Sequence, residues 1–223
     1  MAEEARRDMR MVGETASAGG EYRNVKLVGE GVFSGNVDCV KLSQVGELEI
    51  RGNLRVKEIK VTGECEVQGR LDAITASGRG ELTIRSDLRG EKIRFTGNIE
   101  TGGDCEAGVF EVGGAFQVSG LLSADKLDVK MYGPCKAREI GGSTLRVRRS
   151  RATKLLDLIK AREPFVLTAD QIEGDIVELE HTVAEVVRGN RVAIGPGCRI
   201  GRVEYQQSLK THKSASVGHS VRR

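Results

Sequence analysis

The chain has 223 residues, 39% of them hydrophobic and 30% charged, which is enough for one or two units with real cores. Its 35 basic and 32 acidic residues nearly cancel, so charge alone does not imply nucleic acid, and no apolar run approaches the ~20 residues of a membrane span. Glycine is the anomaly, at 29 residues against 3 prolines and 4% aromatics, which excludes a large aromatic-lined pocket and points to many tight turns within regular structure.

Residues 1–20 (MAEEARRDMRMVGETASAGG) are too acidic and polar for a secretion signal, and the expectation is a flexible N-terminal tail on a soluble cytoplasmic chain. From residue 21 a repeat sets in. Gly29, Gly46, Gly63, Gly80, Gly97 and Gly114 follow one another every 17 residues, and six positions after each stand Gly35, Gly52, Gly69, Ser86, Gly103 and Gly120. Between them run apolar columns such as Val25, Leu42, Ile59, Ala76, Ile93 and Phe110, or Gly31, Leu48, Cys65, Leu82, Ile99 and Phe116.

Within each unit apolar and polar residues alternate, as in Leu48, Glu49, Ile50, which is a strand period and not a helical one. Each unit therefore reads as two or three short strands joined by turns, too short to be stable alone and with no room for a helical crossover. Stacking the units in register solves this, because every apolar column becomes a continuous inward ladder. The expected fold over 21–148 is an all-β parallel β-helix, a solenoid of six to seven 17-residue coils, the seventh imperfect and placed near 126–147.

Among outward columns, Asp38, Arg55, Asp72, Arg89 and Glu106 alternate in sign, as in-register stacking favours. Glu30, Glu47, Glu64 and Glu81 instead form an acidic column whose carboxylates must splay into solvent or meet a cation or a basic partner. A solenoid end exposes unpaired backbone and a hydrophobic cross-section, a template for another chain. On that ground Val25, Leu27 and Phe33 at the front, and Phe110, Phe116, Val118, Leu127 and Val129 at the back, are the predicted polymerisation ends, joined like end to like end.

Beyond the repeat, residues 149–164 are expected to be a basic helical linker. The run Arg146, Arg148, Arg149, Arg151 and Lys154 contains no acid, and Thr153 to Arg162 is amphipathic and stops before Pro164. Residues 165–205 return to β character as a small β segment, and 206–223 read as a disordered basic tail. Cys39, Cys65, Cys105, Cys135 and Cys198 form an odd set without a CxxC pair, which argues for buried thiols over a disulfide framework or zinc site.

At this point the chain resembles the bactofilins, polymer-forming bacterial cytoskeletal proteins. The likeness rests on GELEIRGNLRV (46–56), GECEVQGRLDA (63–73) and GELTIRSDLRG (80–90), covers roughly 21–148, and extends to a C-terminal region similar to that of Gram-positive members. The resemblance implies a right-handed β-helix whose copies join end to end into non-polar, nucleotide-independent filaments. It implies a cytoskeletal scaffold that positions cell-envelope, cell-shape, wall-synthesis or flagellar and motility proteins. Members attach to membrane through a short apolar N-terminal stretch that Met9, Met11 and Val12 match poorly, so any membrane association is expected to run through partners.

The competing class is a hexapeptide-like β-helix acyltransferase. Ile194-Gly195 and Ile200-Gly201 stand six apart, but a period of 17 is not a multiple of six, and the histidine base such enzymes use has only His181, His212 and His219 as candidates. Phosphate-loop, GxSxG and HExxH motifs do not occur, and aromatics interleaved with bases for nucleic acid are missing. No catalytic, cofactor or metal residue is assigned, and the expectation is a protein that is not an enzyme.

Overall fold

The computed structural model describes residues 6–150 and 165–223, and among these every regular element is a β-strand. The chain divides into two compact units, one ending at Gly103 and one beginning at Asp104. Each is a parallel β-solenoid, with about twelve turns in all where six to seven were expected. The helix expected over Thr153 to Arg162 lies outside the described residues.

In the first unit β1 (Arg7–Ser17), β2 (Gly20–Phe33), β3 (Val37–Ile50), β4 (Leu54–Val67), β5 (Leu71–Ile84) and β6 (Leu88–Thr101) each pair parallel with the next. From β2 onward the register step is constant at seventeen, so Val25, Leu42, Ile59, Ala76 and Ile93 form one ladder, none more than 1% exposed. A coil here is one 14-residue strand plus a three-residue turn, in place of several short strands. The strand survives its bend because Gly29, Gly46, Gly63, Gly80 and Gly97 sit at φ between 110° and 130°, which turns the chain while the backbone ladder to the next coil continues. Alternation slips at each of these glycines: Leu27 points in, Val28 and Glu30 both point out, and Gly31 points in again.

The turns carry a ladder of their own. The backbone N–H of Asn53 donates to Asn36 Oδ1 at 2.8 Å, and that of Arg70 to Asn53 Oδ1 at 2.8 Å, so each coil caps the turn of its neighbour. Three buried positions of the first unit are polar, Gln44, Thr83 and Thr101, and the first of them bonds across coils. Gln44, 1% exposed, donates to the carbonyls of Gly46 and Glu64 and accepts from the Thr62 N–H at 3.0 Å, stitching two coils through the core.

Over Arg7–Ser17 the flexible tail expected for 1–20 is replaced by β1. It pairs with β2 from Met9↔Val25 to Ser17↔Phe33 at a step of sixteen. Its sequence signal is faint because only Met11 is buried along it. Charge helps hold it: Asp8 accepts from Arg23 Nε at 2.9 Å, Arg23 Nη2 at 2.7 Å and Asn24 Nδ2 at 2.9 Å, and these bonds keep its carboxyl down at about 2.

The second unit opens with β7 (Cys105–Arg149), 45 residues wound without a break, and continues through β8 (Leu167–Leu179), β9 (Thr182–Ile194), β10 (Arg199–Thr211) and β11 (Ser216–Arg222). Its steps vary: β8 to β9 is fifteen (Leu167↔Thr182), β9 to β10 sixteen and then seventeen, and β10 to β11 seventeen. The separate β segment and the disordered basic tail are therefore corrected, since both regions supply strands of the second unit's solenoid. The tail read as disordered because its side chains stay outside, while its order comes from backbone pairing such as Ser216 N–H to the Cys198 carbonyl at 2.9 Å.

Candidate assembly interface

The predicted ends are not ends. Val25, Leu27 and Phe33 are at most 1% exposed, enclosed by β1 on one side and β3 on the other, with Leu27 between Met11 and Gln44 and Phe33 between Ser17 and Ile50. Phe110, Phe116, Val118, Leu127 and Val129 are all at most 3% exposed within β7, and the rings of Phe110 and Phe116 pack edge to face at 5.8 Å. Apolar side chains mark the lumen of every coil alike. What distinguishes a terminal coil is free backbone.

Among the described residues, free backbone belongs to β1, which pairs only with β2, and β11, which pairs only with β10. Both strands are exposed along most of their length, with Val12 58% and Val221 46% accessible. A strand with one unpaired side offers its N–H and C=O groups to a further strand ~4.8 Å away.

The basic run resolves into ion pairs with neighbouring coils. Arg146 Nε donates to Glu178 Oε2 at 2.7 Å, directly across the β7–β8 register, which pushes the Arg146 guanidinium up and draws the Glu178 carboxyl down. Arg148 meets Asp128 at 3.2 Å, and Arg149 lies 5.8 Å over the Phe165 ring while its N–H donates to Glu180. Arg151 and Lys154 lie outside the described residues. The run is devoid of acids only along the sequence; its partners come from 20 and 32 residues away.

Three outward columns line up on the first unit. Arg10, Lys26, Ser43, Lys60, Ser77 and Arg94 form one, and Val12, Val28 and Val45, continued by Thr62, form the next. Across the glycine bend runs the acidic column, in register as expected and one rung longer, because Glu14 pairs with Glu30 below Glu47, Glu64 and Glu81. Glu14 escaped detection because β1 steps by sixteen. The column borders a groove of ≈ 350 Å³. Beside it Glu49 binds Arg51 at 3.0 Å and Glu66 binds Arg85 at 2.7 Å, yet among the described residues the five column carboxylates make no hydrogen bond or ion pair. Neighbouring carboxylates ~5 Å apart in water repel by about 0.8 kcal/mol, a cost that exposure keeps small.

The second unit holds a different polar cluster, which sequence reasoning missed. The Glu204 side chain is only 3% exposed and receives Arg188 at 2.9 Å, Arg202 at 2.7 Å and Arg223 at 2.7 Å, on the wall of a groove of ≈ 530 Å³. Burial pushes its carboxyl up, but the three guanidinium groups outweigh this and hold it below the ordinary range. The buried thiols are pushed the other way, with Cys39, Cys65, Cys105 and Cys135 raised to about 12 by burial, so none is a thiolate at neutral pH. Among the described residues no group of three His, Cys, Asp or Glu side chains is placed to hold a metal ion.

No family model matches the chain. It is similar to two proteins of Bacillus subtilis (strain 168), both described as uncharacterized. With YhbE it shares 44% identity over 107 residues, 48% of this chain and 44% of that protein. With YhbF it shares 39% identity over 99 residues, 44% of this chain and 40% of that protein. The matches thus span less than half the length of either relative. No solved structure matches.

Proposed function

We propose that this chain is a non-enzymatic cytoskeletal scaffold of the bactofilin kind, which self-assembles end to end into filaments without nucleotide and positions envelope, cell-shape or motility proteins in the cytoplasm. The observation that carries this reading is the free edge of β1. Its eleven residues are ordered by β2 on one side, while the other side presents an unpaired ladder and no apolar cap among the described residues. Unpaired backbone at such an edge extends the stack by strand pairing, antiparallel where two like edges meet, so a second copy adds on with no new chemistry. Contact between like edges gives filaments without polarity.

The acyltransferase reading draws less support. Coils of that class repeat in whole hexapeptides, whereas the coils that hold Ile194 and Ile200 step by fifteen, sixteen or seventeen residues, none a multiple of six.

Negative-stain microscopy of the purified chain in nucleotide-free buffer tests the proposal. Filaments are expected, and discrete particles at every concentration would overturn it. Thr15→Pro and Ala16→Pro test the edge, because adjacent residues of a strand aim their amides to opposite sides. One substitution breaks the bond to β2 and lowers the melting temperature; the other blocks only the free edge and abolishes filaments in a normally folded chain.

A further inference from the structure

We infer that the corner between the valine column and the acidic column of the first unit is a lateral contact site for a second copy of this chain, running alongside in the same direction. The valines are the first ground. Val12, Val28 and Val45 are 58%, 43% and 50% exposed, and they are half of the six large hydrophobic residues that stand exposed among the described residues. They are also consecutive rungs of one outward ladder, so the exposure forms a continuous apolar stripe and not scattered single side chains.

Charge identifies the occupant. On the valine side of the bend stand Lys26 and Lys60, with no ion pair among the described residues, in the same column as Arg10 and Arg94. On the other side stand the five carboxylates from Glu14 to Glu81, also unpaired. A two-fold axis parallel to the coil axis, placed over the valine column, sets the valines of the two copies against one another and the basic column of each copy against the acidic column of its partner, the latter twice. The rungs match automatically, since both copies repeat at one coil per ~4.8 Å. The self-repelling acidic column thus meets the charge it lacks within its own coil, and the valines lose their contact with water. An antiparallel partner or a uniformly charged surface satisfies at most one of the two stripes.

The basic column spans the six coils from β1 to β6, about 24 Å, the acidic column five coils and the valines three, which is short for a stable dimer, so the isolated pair is weak and salt-sensitive. Only its consequence for bundling rests on the filament reading, since copies stacked end to end would repeat the stripe and sum weak contacts.

The test uses the full chain carrying whichever edge proline blocks filaments, so that lateral pairing is measured apart from end-to-end growth. Equal parts of ¹⁴N- and ¹⁵N-labelled chain are treated with a zero-length carbodiimide, which joins only amines and carboxylates in contact, and cross-linked peptides are read by mass spectrometry. Expected are mixed-isotope links from Lys26 or Lys60 to Glu30, Glu47 or Glu64, lost in 1 M salt. The double variant Val28→Lys/Val45→Lys is expected to lower their yield about tenfold or more. These side chains are half exposed, so its melting temperature stays within a few degrees of the parent. Overturning results are links confined to one isotope, links elsewhere on the surface, or an unchanged yield in the lysine variant. Flotation with vesicles of anionic lipid that the same variant strengthens, in the absence of mixed links, would reassign the stripe to a membrane and also overturn the pairing.

Discussion

Gly63 lies directly over Gly46, one coil away, at φ 110° against 118°, and the Gly46 carbonyl oxygen occupies the place a Cβ on Gly63 would take. Two costs therefore meet in Gly63→Ala: about 1–2 kcal/mol for placing a side chain in a left-handed conformation, and displacement of a backbone carbonyl that is part of the stack. The melting temperature should fall by roughly 4–10 °C. Gly13→Ala separates the terms, because Gly13 has φ 78° but nothing within 4 Å of its Cβ position, so only the smaller conformational cost applies. Equal losses at both sites would show that stacking pressure plays no part.

Gln44→Ala attacks the stack from inside. It deprives the Thr62 N–H of the Gln44 Oε1 acceptor and the Glu64 carbonyl of its donor, and it opens a hole in a packed ladder. A loss of about 2–4 kcal/mol is expected in urea titration, from unsatisfied polar groups plus cavity. Gln44→Leu, which fills the space as Leu27 does in the coil below, should recover the cavity part only. A Leu variant as stable as the parent would mean that the amide contributes nothing.

How much of this was legible in the sequence depended on constancy of coil length. Where every coil adds seventeen, Val25, Leu42, Ile59, Ala76 and Ile93 align on the page as they do in space. Where the step drifts between fifteen and seventeen, as from β8 to β11, the same inward ladder is built but no fixed spacing reveals it. Val183, Arg199 and Ser216 are consecutive rungs that no composition rule would join. The acidic column was readable for the same reason the glycines were, down to Glu30, and lost at Glu14 by a single residue of register. The ends were misplaced because Phe33 and Phe116 report depth in the lumen, whereas an edge is a property of β1 and β11 backbone that side-chain chemistry does not encode.

Asp8 links the β1 edge to acid. Bonds from Arg23, and then from Asn24, hold its carboxyl at about 2 where 3.8 is ordinary. Because the folded value lies below the unfolded one, this tether is fully present above pH 3.8 and is lost as pH falls through about 2. Carboxyl-detected NMR titration should place the Asp8 midpoint near 2 and move it up toward 3.8 in Arg23→Ala, with the β1 amide shifts following the same midpoint. A midpoint that ignores the Arg23 substitution would remove the tether from the account of β1.

In the second unit, β11 has no buried side chain, so its order depends on the ladder to β10 and on Arg223, which reaches Glu204 at 2.7 Å while its own N–H donates to the Tyr205 carbonyl at 2.9 Å. Glu204 already carries Arg188 and Arg202, and removing its charge sets three guanidinium groups against one another around a site with little access to water. Glu204→Gln keeps the volume and deletes the charge. Hydrogen exchange of Val217 and Val221 should then rise several-fold, while amides of β8, three coils from β11, keep their protection. Arg222→Ala serves as the comparison, because among the described residues the Arg222 side chain bonds only the Gln206 carbonyl, at 3.0 Å, and its loss leaves the carboxylate cluster whole. If β11 exchanges at the same rate in both variants and the parent, backbone pairing alone holds that edge, and the Glu204 cluster is a feature of the groove beside it.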